Sequence, residues 1–67
     1  MLEVELNGSP YLLPSGASLQ ELAGQLGLAG QAVAVAVNRE VVPRQQWPGR
    51  RLQAKDKVDI VRAIGGG

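Results

Sequence analysis

One helical stripe stands alone in this sequence, with alternating segments on either side. Leu19, Leu22, Ala23 and Leu26 recur at i, i+3, i+4 and i+7, which puts them on one face of a helix. Ser18-Leu19-Gln20-Glu21 has the spacing of a capping box, with Ser18 at the cap and Glu21 reaching back to the cap N–H. Gly27 is a natural stop. Gly24 lies inside the stretch and costs about 1 kcal/mol relative to Ala. A helix this short is also marginal by itself. It must therefore pack, and with one helix in the chain the surface it packs on is a sheet.

The flanking segments supply that sheet. Leu2, Val4 and Leu6 alternate with Glu3 and Glu5, the pattern of a half-buried strand. Asn7-Gly8 suits a type I′ hairpin turn, where both central residues need positive φ. Residues 10–13 return as a second strand, with Pro10 placed where no ladder N–H is required. Pro14-Ser15-Gly16 turns the chain into the helix. After the helix, residues 32–37 alternate Ala and Val, and the β-branched content favours a strand. Both of its faces are apolar, so one suits the helix and the other a second surface. Asn38-Arg39 turns into a short strand over residues 40–43, ended or set at an edge by Pro43. Residues 44–49 are irregular with one helical turn, and Trp47 folds back as a lid on the core. Lys55-Asp56 turns the chain again, and residues 57–63 form the last strand, with Val58 and Ile60 on the buried face.

The order is hairpin, helix, hairpin-like pair, final strand. The only long connection holds the helix, which serves as a crossover on one face of a single sheet. The first and last strands then pair in parallel at the centre. This is an α+β chain of β-grasp architecture, a mixed sheet of four to five strands with one main helix packed across one face. Residues 1–64 are expected to form the domain and residues 65–67 a flexible glycine tail.

Sixty-seven residues bury a small core, and domains of this size often add disulfides or a metal. The sequence holds no Cys and no His, so neither staple is expected. The same absence removes the thiol nucleophile, the imidazole base and the usual zinc ligands. Ser9, Ser15 and Ser18 lack an imidazole partner and fit turns and caps. Asp56 and Asp59 fit a turn and an exposed strand position better than a catalytic pair. The glycines at 65–67 precede no helix, so they form no phosphate loop. A net charge of +1 does not point to nucleic acid. Every Lys and Arg nevertheless lies from Arg39 onward, a basic flank suited to an acidic partner or an anionic nucleotide. The N-terminal residues carry no signal-peptide pattern and no segment reaches the roughly 18 apolar residues of a membrane span. The expectation is a cytoplasmic protein that binds neither nucleic acid nor membrane and is not an enzyme.

The sequence ends at Ile64-Gly65-Gly66-Gly67. Taken as the end of the chain, consecutive glycines pass through a gap that would exclude a side chain. Together with the strand order, this ending resembles the ubiquitin-like sulfur carriers, and among them the ThiS family of thiamine biosynthesis. The resemblance runs through Leu6-Asn7-Gly8, Val35-Ala36-Val37-Asn38, Val42-Pro43-Arg44-Gln45-Gln46-Trp47 and the stretch from Asp56-Lys57-Val58 to Ala63-Ile64-Gly65-Gly66-Gly67. The Val-Pro-Arg segment with Trp47 is more specific than the diglycine, which several carrier families share.

The resemblance implies that Gly67 is adenylylated by a ubiquitin-activating-type adenylyltransferase using ATP and Mg²⁺. Sulfur ultimately from cysteine then gives a thiocarboxylate, which thiazole synthase consumes. Gly66 completes the diglycine, and Gly65 stands where the family varies. No cofactor bound by this chain is implied. The physics agrees. A terminal carboxylate ionises near pH 3.5 as a rough guide, so at neutral pH it is a poor electrophile until adenylylated. Three extended residues reach roughly 10 Å, enough to place Gly67 inside an enzyme while the domain stays outside. Without an internal Cys, nothing in the chain attacks the activated end.

Lys57, Asp59, Val61 and Ala63 share one face of the last strand, which changes there from charged to apolar. With Ile64, Val61 and Ala63 either form a candidate docking patch for partner enzymes or pack under Trp47 or against the sheet edge, since single apolar residues are common at surfaces. The alternatives are a sulfur carrier for molybdopterin or tRNA thiolation, and an interaction module whose glycines carry nothing. The short length and the Val-Pro-Arg…Trp47 segment disfavour the molybdopterin carrier.

Overall fold

In the computed structural model, residues 1–28 and 30–62 are described. The elements are β1 (Leu2–Leu6), β2 (Ser9–Leu13), α1 (Leu19–Gln25), β3 (Val33–Val37), β4 (Glu40–Val41), a 3₁₀ helix over Arg44–Gly49, and β5 (Lys57–Arg62). The five strands make one sheet in the order β2-β1-β5-β3-β4. β1 and β5 are parallel at its centre, with Glu5 opposite Lys57 and Leu6 opposite Val58. The two outer pairs are antiparallel. This is the expected topology, with all five strands in a single sheet.

Both hairpins turn where two successive residues take positive φ. Asn7 and Gly8 sit at 48° and 87°, and Asn38 and Arg39 at 52° and 71°. That is the twist which lets a two-residue loop join neighbouring strands. Half of the expected capping box forms: the Ser18 hydroxyl accepts a hydrogen bond from the Glu21 N–H at 3.2 Å. It ends in a Schellman arrangement. The Leu28 N–H donates to the Ala23 carbonyl at 2.9 Å and the Gly27 N–H to the Gly24 carbonyl at 3.2 Å, with Gly27 at φ 74°. Leu28 and Ala23 are both buried, the apolar contact that accompanies this stop.

The core lies between α1 and one face of the sheet. Val4, Leu13, Val35, Val37 and Val58 come from the strands, and Leu19, Leu22 and Ala23 from the helix. Trp47 closes one side. Its ring is buried, its indole N–H donates to the Val42 carbonyl at 2.9 Å, and the Arg44 guanidinium lies 4.7 Å from the ring centroid. The lid is tied to the helix start by the Leu19 N–H to Arg50 carbonyl bond and the Leu52 N–H to Ala17 carbonyl bond, at 2.8 and 2.9 Å.

Three boundaries differ from the sequence expectation. β2 begins at Ser9, one residue before the expected start. β3 begins at Val33, one residue after the expected start. β4 stops at Val41, although the Val42 N–H still reaches the Val35 carbonyl at 2.9 Å. Pro43 brings no N–H and its fixed φ of −58° opens the 3₁₀ turn instead. β5 is described to Arg62. Ala63, and with it the expected boundary between residues 64 and 65, lies outside the described residues.

Candidate functional site

β5 carries the chain toward the glycines, so what holds β5 defines the site. Its start is set by Asp56, a buried carboxylate. Asp56 Oδ1 accepts from Asn38 Nδ2 at 3.1 Å and Oδ2 from the Gln53 N–H at 2.8 Å. Asn38 in turn accepts from the Lys57 N–H at 3.0 Å. The acid is therefore a structural tie between the β3–β4 turn and the strand, which satisfies its own buried oxygens. Farther along, β3 flanks β5 from Val37 opposite Val58 to Val33 opposite Arg62.

Alternation then splits β5 between two faces. Val58 is fully buried and Ile60 half-buried against the core, whereas Lys57, Asp59 and Val61 point to the helix-free face. Val61 is 64% exposed, so it does not pack under Trp47. Of the expected patch, Val61 stands exposed on the helix-free face. Ala63 and Ile64 lie outside the described residues, as do Gly65, Gly66 and Gly67.

The structure adds neighbours to Val61 from other strands. Ala34 lies directly opposite it across the β3–β5 ladder, and Ala36 lies opposite Val41 on β4. Ala34 is exposed and Val41 is 67% exposed. Val61, Ala34, Ala36 and Val41 thus form one apolar spot on the helix-free face. Beside it the face is charged, with Glu5 and Lys57 as register neighbours. A shallow cleft of about 580 Å³ borders the spot, lined by Gln31, Val33, Arg44 and Arg62 among others. The Arg44 guanidinium also donates to the Gln31 carbonyl, which fixes that rim. The small residues at Ala34 and Ala36 were the available signal: a strand apolar on both faces needs a second surface.

The chemistry of this spot is adhesive. It offers apolar area bordered by Asp59, which lies opposite Ala36, and by Arg44 and Arg62 of the adjoining cleft. Among the described residues, no group of three acidic, His or Cys side chains is placed to hold a metal ion. No helix among them is long and apolar enough to cross a membrane.

Residues 4–67 match the ThiS family. The chain is 38% identical over 66 residues to a thiazole synthase of Magnetococcus marinus, covering 98% of this chain but 20% of that protein. It is 29% identical to the sulfur carrier protein ThiS of Escherichia coli, over 98% of this chain and 100% of that one. It therefore spans about one fifth of the length of the first relative and the whole of the second. Among solved structures, a thiamine biosynthesis protein (ThiS) from Geobacter metallireducens superposes with a TM-score of 0.84 at 26% identity. That match covers 98% of this chain and 100% of the other.

Proposed function

The chain belongs to the ThiS family, and from that membership we infer that it is a sulfur carrier for thiazole formation, a protein substrate and not a catalyst. The group that carries sulfur is the carboxylate of Gly67. A ubiquitin-activating-type adenylyltransferase uses ATP and Mg²⁺ to join that carboxylate to AMP, and pyrophosphate leaves. Sulfur originating in cysteine then displaces AMP and leaves a thiocarboxylate. Thiazole synthase receives the sulfur. The carrier works in the cytoplasm and binds no cofactor of its own; ATP and Mg²⁺ belong to the activating enzyme.

The observation that carries this is the end-to-end match with the E. coli sulfur carrier, which leaves almost no part of either chain unaccounted for. Two relatives named thiazole synthase each contain a segment similar to this chain, which supports thiazole synthase as the partner. The apolar spot around Val61 supports docking next to the route that β5 gives the tail. Gly66 and Gly65 thread the partner's channel, where a Cβ would collide, and Ala63 and Ile64 extend the docking patch.

The test is retention on immobilised partners. The chain is expected to bind thiazole synthase and to ignore the large subunit of molybdopterin synthase. Binding only to the latter would move it to the molybdopterin pathway, and binding to neither would count against a carrier.

A further inference from the structure

The ladder between β1 and β5 ends earlier than β5 does. Its last register pair is Leu6 opposite Val58, followed by the Asn7 N–H to Val58 carbonyl bond at 2.9 Å. The next group on that side of β5 is the Ile60 N–H. In a continuing parallel ladder it would donate to the backbone carbonyl of residue 7. Here β1 has already turned away, because Asn7 sits at φ 48° in the hairpin. The Asn7 side chain replaces the missing strand: its Oδ1 accepts from the Ile60 N–H at 2.8 Å. From the sequence, Asn7 is expected in the turn alone. The hydrogen bond gives it a second task, 53 positions away.

We propose that Asn7 is a positioning residue for sulfur loading, clamping the C-terminal half of β5 so that the strand stays ordered up to Arg62 when the tail enters a partner. This rests on the sulfur-carrier function above. Among the described residues, Ile60 to Arg62 are flanked by β3 on one side, and on the other the hydrogen bond to Asn7 ties the Ile60 backbone while its side chain packs on the core. If that half-strand frays, a partner must fix additional backbone before Gly67 reaches its site, and fixing backbone opposes binding. The consequence is a higher KM for loading rather than a slower chemical step.

Asn7→Gly isolates the side chain. Glycine accepts φ 48° without strain, so the turn is kept and the acceptor is lost. Asn7→Asp keeps an acceptor oxygen and tolerates the same φ. In Asn7→Gly, amide exchange at Ile60 is expected to become roughly tenfold faster, the weight of one hydrogen bond. KM for adenylylation by the activating enzyme with ATP should rise severalfold with kcat little changed, and Asn7→Asp should restore both readouts. Faster exchange with an unchanged KM would make the bond merely structural and overturn the proposal. An Asn7→Gly chain that does not fold would overturn it too, since the bond would then be supporting the fold itself. Wild-type protein that is never adenylylated would remove the carrier function and this role together, whereas a loading wild type with an unaffected variant removes the role of Asn7 alone.

Discussion

Gly24 and Gly27 lie three positions apart, one inside α1 and the other just past its end, and their backbones ask opposite things of the residue. Gly27 sits at φ 74° and makes the Schellman stop. Gly24 is ordinary helix, exposed, with nothing within 4 Å of the place a Cβ would occupy. Gly24→Ala is therefore expected to stabilise the domain by about 0.5–1 kcal/mol. Gly27→Ala is expected to cost about 1–2 kcal/mol, because a Cβ is strained at that φ. Denaturant midpoints check both. A destabilising Gly24→Ala would mean the helix end is not in the conformation described. The same contrast explains what could be read at this scale. Caps and turns are local, so Ser18, Gly27 and Asn7-Gly8 could be assigned from their neighbours in sequence. The bond from Asn7 to Ile60 could not, because an Asn in a hairpin turn gives no sign of which strand its side chain meets.

At the scale of elements, alternation made the strands legible and parallel pairing at the centre followed from the lone crossover helix. What alternation leaves open is which exposed residues become neighbours. β5 alone leaves Val61 between a docking patch and packing under Trp47, and its 64% exposure decides for the surface. Ala34 and Val41 joined it only through the antiparallel registers of β3 with β5 and with β4. The role of Asp56 was half legible: its turn was evident, but its ties to Asn38 and Gln53 depend on the fold. Val61→Asp tests the spot. An exposed position tolerates the change within about 0.5 kcal/mol of stability. Placing a carboxylate in an apolar interface should weaken binding to thiazole synthase roughly tenfold or more. Calorimetric titration reads the affinity and thermal unfolding reads the stability. Unaltered affinity would dismiss the spot as a docking surface.

For the whole molecule, the fold and the family agree with the sequence expectation: a β-grasp with one helix, matched to ThiS from residue 4 to residue 67. Among the described residues the core is built from positions between Val4 and Val58, so the proposed sulfur-bearing Gly67 is separate in sequence from the residues that hold the fold. Deleting Gly67 should accordingly leave thermal unfolding almost unchanged while abolishing loading. The most direct measurement is the intact mass of the protein after incubation with its activating enzyme, ATP, Mg²⁺ and a cysteine-fed sulfur donor. A sulfur carrier gains the mass of one oxygen exchanged for sulfur, localised to Gly67, and the protein lacking Gly67 does not. An unchanged mass for the full chain, under conditions where the same enzymes load a known carrier, would contradict sulfur carriage.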